Sequence, residues 1–283
     1  MKQPLDRYAV TGHPIGHSKS PYIHRWFAAE TGQGIRYDAI PSARDGFEEV
    51  VRRFRADGGL GLNVTLPFKE EACALADVRT PRAELAGAAN TLSFLPDGTV
   101  HGDNTDGVGL IRDLRINHGV ALAGRRILMI GAGGAARGVL PALVDERPRR
   151  LTVVNRSPER AVSLAARFPA AGVVGCGFGD LRRGDGEVFD IVINATSAGL
   201  SGESAPPVPI SAFRPGGAAY DMVYATEPTS FLLWSRAAGA SLAVDGAGML
   251  VEQGAESFRL WRGVRPPTRR VIAALRAELV RGG

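Results

Sequence analysis

Residues 125–143, RRILMIGAGGAARGVLPAL, constrain this chain more than any other stretch. An apolar run of strand length meets a glycine cluster, and a helix-forming segment follows at once. Gly131, Ala132, Gly133, Gly134, Ala135 and Ala136 form a G-x-G-x-x-A phosphate-binding fingerprint. The first glycine permits the tight turn after the strand. The second lets backbone amides approach a pyrophosphate, which then sits at a helix N-terminus. Gly131, Ala132, Gly133, Gly134 and Ala135 are therefore candidate cofactor ligands. The strand LTVVNRS (151–157) ends in Asn155, Arg156 and Ser157, with Arg160 one turn on. No carboxylate stands where an NAD enzyme holds the ribose hydroxyls. The planar fork of an arginine suits a 2′-phosphate instead, so NADP(H) is the expected cofactor.

Around this unit, apolar runs alternate with helical segments along the whole chain, the pattern of α/β layers. YAVTG (8–12), RYDAI (36–40) and GLNVT (61–65) read as strands. Residues 43–56 have helical spacing, and Pro67 is expected to open a helix carrying Glu70 and Leu75. ANTLSFLPDGTVHGDNTDG reads as a hairpin turning at Pro96, Asp97 and Gly98. FDIVINATSAG (189–199), AAYDMVY (218–224) and SLAV (241–244) extend the series of strands after the fingerprint. Thr229 is the expected cap of the helix before SLAV. From Gly246 the pattern is helical only, and two terminal helices are expected to pack back on the first domain. The expected organisation is a discontinuous domain of 1–105 and 246–283, and a Rossmann-type dinucleotide domain of 106–245.

The 283 residues suffice for two cores. The formal charge of +5 is spread over scattered arginines. No long basic run or aromatic-basic segment points to nucleic acid. No apolar run reaches membrane-spanning length, and no signal-like segment opens the chain. The two cysteines, Cys73 and Cys176, lack metal-type spacing, which fits a reduced cytoplasmic protein and no bound metal.

Among 34 basic residues only Lys2, Lys19 and Lys69 are lysines. Lys69 stands four residues after Thr65, in NVTLPFKEEA. An exposed helix position would be served equally by arginine, which this chain prefers. Lysine can exchange a proton at useful pH and arginine cannot. Lys69 also falls in the first turn of its expected helix, where the dipole disfavours a cation. That is the profile of a proton-transfer group. Other polar clusters fall at strand ends or loops: Ser18 and Ser20, Asn63 and Thr65, Asn90, and Asp106. A lone Asp106 has the alternative reading of a helix cap.

The segments HPIGHSKSP, NVTLPFKEEA, AGAANTL, GDNTDGVGL, IGAGGAARGVL, NRS, NATSAG, YDMVY and DGAGMLVEQ, in this order, resemble the shikimate dehydrogenase family nearly end to end. The resemblance implies a substrate domain and an NADP domain flanking a cleft, and reversible NADPH-dependent reduction of 3-dehydroshikimate to shikimate, a step toward chorismate. It implies Lys69 and Asp106 as the catalytic pair. Ser18 and Ser20 would bind the substrate carboxylate. Asn63, Thr65, Asn90 and Gln253 would hold the ring, with Tyr224 closing on it. Gly131 to Ala135, Asn155, Arg156, Ser157 and Arg160 would hold the cofactor. Thr196, Ser197, Met222 and Gly246 would line its nicotinamide side. Ser157 replaces a threonine common in the family, and Ser20 is the residue usual in shikimate-selective members. The alternatives are a quinate or aminoshikimate dehydrogenase and a non-catalytic NADP-binding regulator. The oligomeric expectation is a monomer or a homodimer.

Overall fold

The structure, a computed structural model, describes residues 5–183, 187–196 and 205–281. The chain divides into two compact units. One holds the residues up to Gly109 together with Leu250–Glu278. The other holds Leu110–Met249 with the end of the last helix from Leu279. The first division therefore falls after Gly109, where the sequence pattern put it after residue 105. The shift has a physical basis, because the side chain of Asp106 is bonded to Lys69 and Asn90 of the first unit.

The first unit runs β1 (Asp6–Gly12), α1 (Ser20–Thr31), β2 (Ile35–Pro41), α2 (Phe47–Ala56), β3 (Gly59–Val64), α3 (Lys69–Leu75), β4 (Val78–Arg79), α4 (Pro81–Ala86), β5 (Thr91–Phe94) and β6 (Val100–Asp103). Helix α5 (Asp106–Arg112) follows and continues into one π turn over Asp113–Asn117. The sheet order is β2-β1-β3-β5-β6-β4. Strands β1, β2 and β3 are parallel, and β5 joins β3 antiparallel and starts the hairpin with β6. In the β3–β5 register Asn63 lies opposite Thr91, and in the β5–β6 register Thr91 lies opposite Asp103. Three polar residues thus stand side by side at one end of the sheet.

Helix α2 shows why such segments fold as they do. Phe47, Val51 and Phe54 recur at helical spacing and are buried, while Glu49, Arg52 and Arg53 face solvent and pair with one another. Phe47 stacks on Phe68, with ring centroids 5.1 Å apart, beneath Ala72, Leu62 and Leu92. Burying each such phenylalanine contributes roughly 1.5–3 kcal/mol. Phe68 is fully buried immediately before Lys69, so the core fixes the start of α3. The sequence pattern put that start at Pro67. The Leu66–Pro67 peptide is cis, and Pro67 closes the turn before the helix instead.

The second unit contains β7 (Arg126–Ile130), α6 (Gly134–Asp145), β8 (Arg150–Asn155), α7 (Pro158–Ala165), β9 (Val174–Gly177), α8 (Phe178–Arg183), β10 (Phe189–Asn194), β11 (Phe213–Asp221), α9 (Ser230–Ala237) and β12 (Leu242–Val244). Its sheet order is β12-β11-β10-β7-β8-β9, parallel throughout. This is the doubly wound order, with its reversal between β7 and β10. Apolar layers cover both faces. Ile127, Met129 and Val153 point into one, and Leu128, Ile130 and Val154 into the other, as period-2 alternation requires. Thr229 caps α9 as expected, accepting from the Leu232 amide at 3.3 Å. Helix α10 (Ala247–Arg262) starts in this unit, and α11 (Arg269–Arg281) follows it.

Among the described residues no helix is long and apolar enough to cross a membrane, and no His, Cys, Asp and Glu cluster suits a metal ion.

Candidate active site

In the first unit, strand ends and helix starts bring Asn63, Lys69, Asn90, Thr105, Asp106, Gln253 and Ser257 into one hydrogen-bonded network. Lys69 Nζ donates to Asp106 Oδ2 at 2.6 Å. The two side chains are 17% and 8% exposed, so the pair is largely desolvated but open on the lysine side. Among the described residues Lys69 Nζ makes no other hydrogen bond, so its remaining N–H groups are available to a ligand oxygen. The Ala89 amide donates to the Lys69 carbonyl at 2.8 Å, tying this helix start to the residue before Asn90.

Asn90 is the hub. Its Nδ2 donates to Asp106 Oδ1 at 2.8 Å and to Thr105 Oγ1 at 2.9 Å, with Gln253 Oε1 at 3.3 Å. Its Oδ1 accepts from the Thr105 amide at 2.9 Å and the Thr91 hydroxyl at 2.8 Å. Asp106 opens α5, but its carboxylate is held by Asn90 and Lys69 rather than spent on a cap. Asn63 Nδ2 donates to Ser257 Oγ at 2.9 Å and the Asn90 carbonyl at 3.1 Å. Its Oδ1 accepts from the Tyr37 hydroxyl at 2.7 Å.

Tyr37 in turn stacks on His24, ring centroids 3.9 Å apart. Both are buried, and burial raises the Tyr37 pKa well above the ordinary phenol range. Burial likewise drives the His24 pKa down to about 3, with the nearby Asn63 side chain only partly opposing it. His24 is therefore a neutral core group. Ser18 lies in the loop before α1, and its Oγ accepts from the Ser20 amide at 3.3 Å. Ser20 is buried at the first position of α1, and Thr65 is half-buried just past the end of β3. Tyr37, Thr105 and Ser257 are members of this network that the sequence reading missed. The signal for Ser257 was available, since it lies one helical turn after Gln253.

In the second unit the fingerprint follows β7 at the reversal of strand order. Gly131 has φ of +106°, and a Cβ there would lie 3.0 Å from Thr196 Cγ2 and 3.2 Å from the Ala195 carbonyl. Gly133 precedes α6, and Cβ atoms at Gly133 and Gly134 would meet open space. The glycines there leave the backbone bare to a ligand, which fits the dinucleotide expected from the sequence. Ala132 and Ala135 flank them, partly buried. Asn155 Nδ2 donates to the Ser157 carbonyl at 3.0 Å, shaping the turn that presents Arg156 and Arg160 to solvent.

Between the starts of α6 and α7 lies a groove of about 540 Å³. It is lined by Ala132, Gly133, Arg137, Glu159, Arg160, Ser163, Leu164 and Arg167. Arg137 and Arg167 were not anticipated from the sequence.

Met222 and Gly246 lie against each other. The Met222 amide donates to the Asn194 carbonyl at 2.9 Å, and a Cβ on Gly246 would lie 2.3 Å from the Met222 carbonyl oxygen. Only glycine fits there. Thr196 Oγ1 donates to Asn194 Oδ1 at 2.7 Å, and Tyr224 is half-buried after β11. Ser197 lies outside the described residues.

Three stretches of the chain match family models. Residues 10–92 match the shikimate dehydrogenase substrate binding domain. Residues 115–201 match the shikimate / quinate 5-dehydrogenase family, and residues 246–276 match the shikimate 5'-dehydrogenase C-terminal domain. The NADP(+)-dependent shikimate dehydrogenase of Alkalilimnicola ehrlichii is 57% identical over 273 residues, covering 96% of this chain and 99% of that protein. That of Methylococcus capsulatus is 55% identical, covering 98% of each. The crystal structure of shikimate 5-dehydrogenase from Thermus thermophilus in complex with NADP(H) and shikimate superposes with a TM-score of 0.86. It is 35% identical, covering 97% of this chain and 100% of that one. With relatives this similar over nearly its whole length, the chain belongs to the shikimate dehydrogenase family.

Proposed function

We propose that this chain catalyses the reversible NADPH-dependent reduction of 3-dehydroshikimate to shikimate. The observation that carries the reading is the 2.6 Å contact of Lys69 Nζ with Asp106 Oδ2, braced by Asn90. The first unit is the substrate-binding and catalytic domain, supported by the substrate-domain match over residues 10–92. The second unit holds NADP(H) through Gly131 to Ala135, Asn155, Arg156, Ser157 and Arg160. The free thiols Cys73 and Cys176 support a cytoplasmic location.

Bound NADP(H) supplies the hydride donor or acceptor. The chain's own residues manage the substrate and the proton. In the oxidation direction the C3 hydroxyl of shikimate gives up its proton to the Lys69–Asp106 pair as hydride leaves the same carbon. An N–H of Lys69 holds that oxygen and stabilises the developing alkoxide in a largely desolvated setting. Asp106, fixed by Asn90, keeps the Lys69 ammonium aimed and shares the proton relay. The 2.6 Å contact joins the two side chains, so the relay belongs to the pair. Ser18 and Ser20 take the substrate carboxylate. Asn63, Thr65, Asn90 and Gln253 take the ring hydroxyls. The part of Tyr224 in substrate binding, and those of Thr196, Ser197, Met222 and Gly246 toward the nicotinamide, rest on the family resemblance.

The test is the absorbance change of the nicotinamide with shikimate or quinate, each with NADP+ or NAD+. Turnover is expected to be greatest with shikimate and NADP+. Preferred turnover of quinate would overturn the substrate assignment. Cofactor binding without turnover of either acid would favour a regulator.

A further inference from the structure

Strand β6 ends at Asp103, and three residues later the chain enters α5 at Asp106. All four residues of this crossing, Asp103, Asn104, Thr105 and Asp106, are buried. The Asp103 carboxylate is the anchor of the crossing. Arg82 Nε donates to its Oδ1 at 2.6 Å and Arg82 Nη2 to its Oδ2 at 2.8 Å. The Thr80 hydroxyl, at the cap of α4, donates to Oδ1 at 2.8 Å. The Asn104 amide donates to the same oxygen at 2.6 Å. Asn104 then carries the register forward. Its Nδ2 donates to the Ala88 carbonyl at 2.9 Å, and its Oδ1 accepts from the Asp106 amide at 3.1 Å. A continuous path of bonds therefore runs from the Arg82 guanidinium to the backbone of Asp106.

A second brace comes from α10. Arg82 Nη2 lies 3.4 Å from Glu256 Oε1. Glu256 is itself held by Arg259 at 2.7 Å and Arg265 at 2.7 Å. The same helix presents Gln253 and Ser257 to Asn90 and Thr105. A planar guanidinium fixes both the position and the plane of a carboxylate, which an ammonium cannot do. We propose that Arg82 is a positioning residue for the Lys69–Asp106 pair, acting through Asp103 and Asn104 rather than by touching substrate. The proposal rests on the reading of that pair as the reacting groups. Its force comes from distance sensitivity, because a displacement of ~1 Å at reacting groups costs on the order of 10²-fold in rate.

The informative variant is Arg82→Lys in the full chain, which keeps a cation beside Asp103 and removes the fork. Arg82→Met is the harsher companion, and where it is too unstable to assay, Arg82→Lys carries the measurement. The readouts are kcat, KM for shikimate, the pH profile of kcat, and the Kd of 2′,5′-ADP. We expect Arg82→Lys to lower kcat by roughly 10–100-fold. The pH profile should shift with the loosened pair, while KM moves by less than about threefold, a split that marks transition-state positioning. The Kd of 2′,5′-ADP should stay as in the wild type. Wild-type kcat and pH profile would overturn the proposal. So would a loss expressed wholly in KM or in 2′,5′-ADP binding, or failure of Arg82→Lys to fold, each of which gives Arg82 a different role. Asp106→Asn separates the two levels. If it keeps full turnover, the reading of the pair itself is wrong. If it is inactive while Arg82→Lys is normal, only the positioning role fails.

Discussion

Lys69 is the residue at which sequence and structure meet most directly. Its ammonium is held at 2.6 Å by a carboxylate that another side chain already fixes, so geometry rather than chance aims it. Lys69→Ala is expected to lower kcat by about 10²–10⁴-fold, the range of a positioned proton-transfer group. KM for shikimate should change far less, and steady-state kinetics would show the split. Lys69→Arg should be nearly as damaging, because it keeps the charge and loses the exchangeable proton. Retention of turnover in Lys69→Arg would leave charge alone as the role. Lys69 was legible because lysine is rare in this chain, so its placement carried information. Arg137 and Arg167 were not legible for the opposite reason. In a chain that uses arginine nearly everywhere, only the fold says which arginines line a groove.

At the scale of elements, we propose that α7 decides which dinucleotide fits. Arg160, Ser163 and Leu164 of α7, with Arg167 in the turn just past its end, line the groove beside Gly133. Neither Arg160 nor Arg167 has a carboxylate partner among the described residues, whereas Arg150 and Arg214 are paired with Glu187 and Asp190. Arg160→Ala is expected to weaken 2′,5′-ADP by roughly 10–100-fold, the loss of one or two charge-assisted bonds of about 1.5–3 kcal/mol. ADP, lacking the 2′-phosphate, should lose little. Titration calorimetry with both nucleotides measures the difference, and equal losses would remove Arg160 from phosphate recognition. The strands with long apolar runs were readable from their pattern. Strand β9 was not, because its four residues include Gly175 and Gly177. Those glycines are there for packing: a Cβ on Gly175 would lie 2.3 Å from the Ala161 carbonyl oxygen of α7. Short α4 gave no periodic signal, yet it supplies the clamp on Asp103.

At the scale of the whole molecule, the same buried network makes stability depend on pH. His24 sits among Tyr37, Phe27, Phe258 and Trp261, and neither ring nitrogen has a hydrogen-bond partner. Burial lowers its folded pKa from 6.5 to about 3. Above pH 6.5 both folded and unfolded chains hold it neutral, and it contributes no slope. Between 6.5 and about 3 the unfolded chain binds a proton that the folded chain refuses, so stability falls as pH falls. The slope from this one group approaches about 1.4 kcal/mol per pH unit in the middle of that window. Glu256 adds to acid loss only at lower pH. Burial pushes its pKa up, but Arg259, Arg82 and Arg265 outweigh that and hold it below the ordinary glutamate value. His24→Phe keeps an aromatic ring against Tyr37 and removes the titrating group. Urea midpoints from about pH 4.5 to 7.5 should therefore fall less steeply toward acid in His24→Phe than in the wild type. Parallel curves would show that His24 remains neutral in the unfolded chain as well, or that it is protonated in the folded one. Because Tyr37 lies between His24 and Asn63, acid that forces a charge onto His24 acts on the same stack that holds the proposed ring ligand. Loss of shikimate affinity is expected to accompany loss of stability in the wild type and to be blunted in His24→Phe.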